Sequence, residues 1–397
     1  MTYNFDKPIN RRGTNCVKWD EFSDPDVIPL WVADMDFETA PCVLKALQER
    51  MQHGCFGYTH VPDSYYDATI CWFQRRHHWT IDRASFIYTS GVVPAISAII
   101  KAMREEQGAR DKGQDVKVLV QTPVYNCFFS SIRNNDCLVA ENPLKMVNHR
   151  YEVDWEDFEA QCSDPAVKVF LLCNPHNPAG RVWTREELTR MGEICLRHDV
   201  FVISDEIHCE FTMPGHIYTP FASISEDFAQ HSAVCISPSK AFNIAGLQIA
   251  NIIVKDEEIR QQVDKAININ EVCDVNPFGV IALQAAYSDE GEAWLNALNS
   301  YIWGNYQLAK RVFEAQLPQC PITILEGTYL LWLDIRATQM TSEEVANYLM
   351  QHEKVYVNPG IMYGKTAGEG YIRINLATRH TLLQEGLQRM SRSLSID

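Results

Sequence analysis

The sequence predicts an α/β protein: a mainly parallel sheet of seven strands between helices, followed by a smaller α+β domain. Three observations carry that prediction. From Phe86 onward short β-rich runs alternate with helical patterns, each run leading into a turn. Those runs are continuously apolar, which is how strands covered on both faces read, whereas a strand with one wet face alternates. After about Asp289 the texture changes to one long helical stretch and then shorter strands.

Taken in order, residues 1 to about 38 read as an irregular arm containing Trp31-Val32-Ala33-Asp34-Met35-Asp36-Phe37. Pro41 in a first turn, apolar Val43, Leu44, Leu47 and Met51, and Gly54 as a stop make a capped amphipathic helix. Phe56-Gly57-Tyr58 is a loop, and a helix follows through about Phe73. The seven strands are expected at 86–89, 116–121, 137–141, 167–173, 200–204, 234–237 and 248–254. Between two of them Thr184-Arg185-Glu186-Glu187 is a capping box that opens a helix. Beyond Asp289 come a helix with Trp294, Leu295 and Leu298, a second capping box at Thr341-Ser342-Glu343-Glu344, and strands at 327–335, 355–358 and 371–377. The expected organisation is an arm, 1–45, that joins the small domain, a large domain, 46–288, and the small domain itself, 289–397.

Composition narrows the class. A chain of 397 residues can bury a sizeable core, and 46% apolar with 22% charged residues is ordinary for a globular protein. The formal charge of −16 argues against a nucleic-acid partner, which wants a basic face. The N-terminal stretch has no apolar core behind a positive flank, and no run approaches the roughly 18 apolar residues of a membrane span. Thirteen scattered cysteines without a C-x-x-C pair fit reduced thiols in a cytoplasmic protein. His77-His78 lacks a Cys or carboxylate at ligand spacing, so these histidines are read as surface and no metal site is expected.

In sheets of this kind ligands sit outside the carboxyl ends of the strands. The first strand ends in Ser90-Gly91-Val92-Val93 and enters a helix, an arrangement that suits a phosphate, though alone it is also a plain strand-to-helix turn. The second ends in Thr122-Pro123-Val124-Tyr125, which sets an aromatic ring at the same edge unless Tyr125 is simply core. The fourth ends in Asn174-Pro175-His176-Asn177-Pro178-Ala179-Gly180, where two prolines and a glycine hold two amides. The fifth ends in Ser204-Asp205-Glu206-Ile207-His208, whose acids need a partner if buried, and a protonated ring nitrogen is one. The sixth ends in Ser237-Pro238-Ser239-Lys240, with a lysine placed to form a Schiff base. A phosphate cradle, a stacking ring, an amide, a carboxylate and an amine together are what pyridoxal 5′-phosphate requires.

With those motifs in place, the sequence resembles the fold-type-I pyridoxal-phosphate enzymes of the aspartate-aminotransferase superfamily over nearly its whole length. Within them, the arm motif at 31–37, the turn at 174–178, Ser204-Asp205-Glu206-Ile207-His208 and Lys240-Ala241-Phe242-Asn243-Ile244-Ala245-Gly246-Leu247-Gln248 are similar to the MalY/PatB subgroup of cystathionine β-lyases, or C–S lyases. The resemblance implies that Lys240 holds the cofactor and acts as base at Cα, and that Asp205 pairs with the pyridine nitrogen. It implies further that Asn177 bonds the ring hydroxyl, that Tyr125 stacks on the ring, and that Val92, Val93, Ser237 and Ser239 hold the phosphate. Tyr58 matches a tyrosine that reaches the neighbouring subunit's phosphate, which implies a homodimer with shared sites. Arg373 in Tyr371-Ile372-Arg373-Ile374-Asn375 matches the arginine that binds the substrate α-carboxylate; the other reading is a surface arginine on an edge strand. Two positions depart from aminotransferases: Gln248 replaces a phosphate-binding arginine, and His208 at the cofactor replaces a tyrosine.

The expected activity is α,β-elimination on a sulfur amino acid such as L-cystathionine or L-cysteine, giving pyruvate, ammonia and a thiol. The proton donor to the leaving thiol stays open between Lys240 and Tyr58. The competing readings are an aminotransferase and a regulatory protein that retains the fold; intact Lys240, Asp205 and Arg373 favour catalysis over the latter.

Overall fold

The structure, a computed structural model, describes residues 3–110, 115–269 and 274–395; the extreme ends of the expected arm and small domain, 1–2 and 396–397, lie outside the described residues. Seven strands build the main sheet: β1 Phe86–Thr89, β2 Lys117–Val120, β3 Leu138–Glu141, β4 Val167–Cys173, β5 Phe201–Asp205, β6 Ser232–Ile236 and β7 Ala250–Val254, in the order β1-β7-β6-β5-β4-β2-β3. Each expected strand is present, two with the expected bounds and the others with ends shifted by no more than two residues.

Only β7 runs antiparallel to its neighbours. The connection before it lacks a crossover helix. Between Ile236 and Ala250 the chain makes one short 3₁₀ turn, Ala245–Leu247, and a parallel return usually runs through a helix. The segment carrying Lys240 is therefore a tight loop folded back over the sheet's edge. The other connections do contain helices, such as Val92–Arg110 and Arg185–Arg197, the latter opened by the expected capping box at Thr184. The central strands are buried on both faces: Val169 and Leu171 of β4 face one core cluster, and Phe170 and Leu172 face another.

A second sheet is antiparallel: β8 Leu330–Asp334, β9 Asn358–Pro359 and β10 Tyr371–Asn375, with β10 in the centre. Arg373 is thus on a central strand and 3% exposed, and the edge-strand reading of it is wrong. The expected strand at 355–358 is two pieces, because Val355–Tyr356 leaves this sheet to pair in parallel with Ile28–Pro29 of the arm. Among the described residues no helix is long and apolar enough to cross a membrane.

His77 corrects another expectation. It is nearly buried, its Nε2 lies 2.8 Å from Glu210 Oε1, and its ring packs edge-on against Tyr218. Glu210 is a buried carboxylate that also takes Trp72 Nε1 at 2.6 Å and Arg76 Nε at 2.9 Å. These partners hold it ionised, with its pKa down at about 2 despite burial. Lone-motif reasoning missed Glu210 because it is 133 residues away in sequence. His78 is exposed, as expected.

The arm is tied to the Lys240 loop by Asn243. Its Oδ1 accepts from Met35 N at 3.0 Å, and its Nδ2 donates to Met35 O at 2.8 Å and Phe37 O at 2.9 Å. Its backbone is left-handed, φ 54°, which asparagine tolerates better than most residues. Asn243→Ala should cost about 2–4 kcal/mol in chemical denaturation, from three lost hydrogen bonds and the strained φ. Asn243→Gly should recover about 1 kcal/mol of that. Two variants as stable as the wild type would show that the arm is held by something else.

Candidate functional site

The carboxyl ends of β1, β4, β5 and β6 converge on a cavity of about 190 Å³. Its walls carry Val92, Val93, Tyr125, Asn177, Asp205, His208, Ser239 and Lys240, so eight of the eleven residues singled out from the sequence meet in one place. The remaining three, Ser237, Arg373 and Tyr58, lie elsewhere.

At the end of β1 the helix Val92–Arg110 begins. Ala95 N bonds Gly91 O at 3.0 Å, and Pro94 has no N–H. The free backbone donors of this helix start are therefore those of Val92 and Val93, aimed at the cavity edge where a helix dipole favours an anion. Ser239 shares this wall. Ser237 does not: its Oγ donates to Ile249 O at 2.6 Å and accepts from Ser239 N at 3.0 Å. It braces the Lys240 loop against the entry to β7, and in this structure its hydroxyl is turned to those two partners and not to the cavity wall.

The turn after β4 likewise separates two similar residues. Asn177 reaches the cavity, and its Oδ1 accepts from Arg373 Nη1 at 3.2 Å. Asn174 turns away, donating to Thr219 O at 3.0 Å. Gly180, at φ 71°, closes this turn where a Cβ would meet Leu325 Cδ1 at 2.9 Å.

Asp205 and Glu206 point to opposite sides of β5, as successive strand residues must. Glu206 is satisfied by Ser204 Oγ at 2.8 Å, Phe221 N at 2.9 Å and the Tyr218 hydroxyl. Asp205 has one donor, Ile207 N at 3.1 Å. Cys173 on β4 and Cys235 on β6 flank it in register. Burial in this apolar setting pushes its pKa up to about 7, only partly offset by the Ile207 N–H and the charge of Lys240. A buried carboxyl with so little compensation facing a cavity fits a ligand that brings its own N–H or positive charge.

Lys240 Nζ donates to Ala33 O at 2.6 Å. Burial first, and the charge of Arg373 second, bring its pKa down to about 8, so near neutral pH a usable fraction of the amine is unprotonated. His208 is buried, and the same burial, then the charges of Lys240 and Arg373, hold its pKa well below the ordinary value; its Nδ1 has no partner. The imidazole is neutral here. Tyr125, the residue before the helix Asn126–Asn134, sets its ring on the cavity wall, edge-on to Phe128.

Arg373 stands behind Asn177. Nη2 donates to Trp31 O at 2.8 Å, the guanidinium lies 4.7 Å over the Tyr363 ring, and Nε is buried without a partner. Tyr58 is 95% exposed in the loop after the helix Pro41–His53 and is not part of the cavity. Gln248 is exposed with φ 52° and is also absent from the cavity wall. Sequence reasoning missed Tyr329, whose hydroxyl bonds Ala33 O at 3.0 Å, and Asn375, whose Nδ2 bonds the carbonyls of Val32 and Asp34. Asn375 carried a signal, an amide at the end of an apolar strand; Tyr329 carried none.

The family model described as aminotransferase class I and II matches residues 25–390. The chain belongs to that family. Within it, the chain is 41% identical to cystathionine β-lyase PatB of Bacillus subtilis, over 99% of this chain and 100% of that one. Cystalysin of Treponema denticola, whose crystal structure contains a pyridoxal 5′-phosphate cofactor, superimposes with a TM-score of 0.93 at 32% identity, covering 99% of each chain. The pyridoxal-phosphate-bound C–S lyase of Staphylococcus hominis superimposes with a TM-score of 0.89 at 34% identity, again over 99% of each. The fold is that of the fold-type-I pyridoxal-phosphate enzymes, and the cavity's donor set fits that cofactor: an under-compensated buried carboxyl, an amine of lowered pKa and a helix start with two free N–H groups.

The under-compensated burial of Asp205 has a consequence for the cofactor-free protein. Its folded pKa lies above its unfolded one, so the neutral acid is favoured by folding; that stability is complete below about pH 4 and is lost as pH rises through about 7. The loss at higher pH is roughly 4 kcal/mol by linkage. Asp205→Asn should therefore raise the melting temperature of the cofactor-free protein at pH 8, with the gain shrinking toward pH 5, while weakening pyridoxal-phosphate binding. A lower melting temperature at pH 8 for the variant would contradict the under-compensated-acid reading.

Proposed function

We propose that the protein is a pyridoxal-phosphate-dependent carbon–sulfur β-lyase that cleaves L-cystathionine or L-cysteine-type substrates to pyruvate, ammonia and a thiol. The observation that carries this is the placing of Lys240 and Asp205 on one cavity, with Arg373 behind Asn177. Full-length likeness to PatB and to the two C–S lyase structures supports elimination at Cβ.

When bound, pyridoxal phosphate supplies an electron sink conjugated to the substrate's Cα. Asp205 would pair with its ring nitrogen and keep a proton there, which would relieve the carboxyl's own burial. Asn177 would take the ring hydroxyl, neutral His208 would line the same pocket, and Tyr125 would stack on the ring. The N–H groups of Val92 and Val93, with Ser239, would hold the phosphate; Gln248 adds no cation to that wall. Arg373, with its Nε free, binds the α-carboxylate. Lys240 Nζ, once free and neutral, takes the Cα proton, and the thiolate leaves from Cβ. Lys240, or Tyr58 of a second copy, returns a proton to sulfur, and the released enamine hydrolyses to pyruvate and ammonia.

The same reading makes the enzyme a homodimer with shared sites, supported by Tyr58 at 95% and neighbouring Phe56 and Met51 at 54% and 61% exposed. It divides the chain into a cofactor-binding domain, 46–288, and a small domain, 289–397, joined by the arm 1–45; the pairing of Ile28–Pro29 with Val355–Tyr356 supports that grouping. Twelve free cysteines among the described residues fit a reducing compartment, the cytosol.

Purified enzyme given L-cystathionine or L-cysteine without a keto acid should release pyruvate, and Lys240→Ala should abolish both release and covalent attachment of the cofactor. No pyruvate, with turnover only when 2-oxoglutarate is added, would make the protein an aminotransferase. Because Lys240 Nζ must be neutral to add to the cofactor's aldehyde, the rate of cofactor attachment to the cofactor-free protein should fall about tenfold per pH unit on the acid side of a midpoint near 8. Arg373→Ala should raise KM by about a hundredfold, from the loss of a charge-assisted carboxylate contact. Mixing and re-equilibrating Lys240→Ala with a Tyr58→Phe variant of low activity should restore roughly a quarter of wild-type activity if sites are shared across a twofold dimer, and none if they are not.

A further inference from the structure

We propose that Tyr329 is a positioning residue that acts on Lys240 through the backbone carbonyl of Ala33. This rests on the reading of Lys240 as the cofactor lysine. The Ala33 carbonyl accepts two hydrogen bonds, from Lys240 Nζ at 2.6 Å and from the Tyr329 hydroxyl at 3.0 Å, which uses both of its lone pairs. The carbonyl cannot swing toward either donor. Asn375 Nδ2 grips the carbonyls on both sides of it, Val32 O at 2.5 Å and Asp34 O at 2.7 Å, which fixes the flanking peptide planes. Tyr329 is equally immobile: it is fully buried, its ring lies edge-on to Phe211 at 4.8 Å and to His208 at 5.7 Å, and its carbonyl accepts from Leu376 N at 2.9 Å.

This geometry does two things to an amine. One N–H is committed to a fixed acceptor, so the nitrogen stays at one place and its lone pair points away from the arm. A carbonyl that also serves a tyrosine hydroxyl is a weaker acceptor for an ammonium than one with a single donor, so the neutral amine is favoured relative to an arm without Tyr329. The other groups that face Lys240 are Arg373 from β10, Asp34 from the arm, Asp205 from the end of β5, Cys127 from the helix after Tyr125 and neutral His208. A change at the Tyr329 hydroxyl leaves all of them in place, so its effect on the lysine passes through Ala33.

Tyr329→Phe removes one oxygen atom and keeps the ring. The first readout is the cofactor-free protein: pyridoxal phosphate is added and its covalent attachment, in which Lys240 Nζ adds to the aldehyde carbon and water leaves, is followed by absorbance across pH. The expected result is an attachment midpoint moved up by about half to one pH unit and a rate at pH 7 reduced about three- to tenfold. The second readout is turnover, where kcat should fall about tenfold with KM for L-cystathionine changed by less than about twofold, because the carboxylate site at Arg373 is untouched. Phe211→Leu, which loosens packing on the same ring and leaves the hydroxyl bond intact, serves as the control and should keep the wild-type pH midpoint. A Tyr329→Phe attachment profile that superimposes on the wild type, or a Phe211→Leu profile that shifts equally, overturns the proposal. If no substrate yields pyruvate even with the wild type, the lyase reading fails while the attachment profile still decides the role of Tyr329.

Discussion

The carbonyl groups of residues 31 to 35 lie outside any sheet, and the site depends on how they are satisfied. A buried carbonyl needs a donor. Trp31 O takes Arg373 Nη2 and Asn358 Nδ2; Val32 O and Asp34 O take Asn375; Ala33 O takes Lys240 and Tyr329; Met35 O takes Asn243 and Arg11 Nη1 at 3.0 Å. Five consecutive carbonyls thus bind side chains from the loop after β6, from β8's entry and from β9 and β10. Two of those side chains, Lys240 and Arg373, are the cations of the site. Satisfying the arm and aiming the chemistry are therefore one set of hydrogen bonds, and the arm cannot shift without releasing both cations.

The charges of the same arm are arranged to keep it closed. Lys18 is fully buried and paired with Asp36 Oδ2 at 2.9 Å, and Arg11 bridges Asp34 and Asp36. Trp19 Nε1 adds a further bond to Asp36 at 2.8 Å. A buried ion pair is a weak source of net stability, but removing one partner leaves an uncompensated charge, so such a cluster enforces one arrangement. The acidic motif Asp34-Met35-Asp36 is accordingly a fold-specifying element, and it fixes the neighbouring Ala33 carbonyl that meets Lys240.

Most of the main sheet was legible in the sequence, because strands buried on both faces are continuously apolar and each ends in a turn with its own chemistry. The direction of β7 was not, since antiparallel return follows from a connection without a crossover helix and not from the strand's composition. Eight site residues were legible for the same reason as the sheet: each sits at a strand end. Ser237 and Ser239 could not be told apart in the sequence, because two serines flank one proline and only geometry tells which hydroxyl bonds Ile249 O. His77 misled because its partner Glu210 comes from another element. Tyr329 and Ala33 were illegible in principle, since one acts through a backbone carbonyl and the other is that carbonyl.

Arg373 and Lys240 are coupled beyond their shared arm. The guanidinium is, after burial, the largest influence holding the Lys240 amine below its ordinary pKa. A carboxylate docked on Arg373 cancels most of that charge as seen from Lys240, because the pair together is neutral. The lysine is then a stronger base when an amino acid is seated than when the site is empty. The polarity of the effect suits the proposed reaction: in the cofactor-free protein a depressed pKa supplies the unprotonated amine that attaches the cofactor, and with a carboxylate on Arg373 the freed amine would gain affinity for the Cα proton. With Arg373 in its proposed role, an amine lacking a carboxylate would leave the guanidinium unneutralised and meet a weaker base, so selection for amino acids would act in the proton-transfer step as well as in binding.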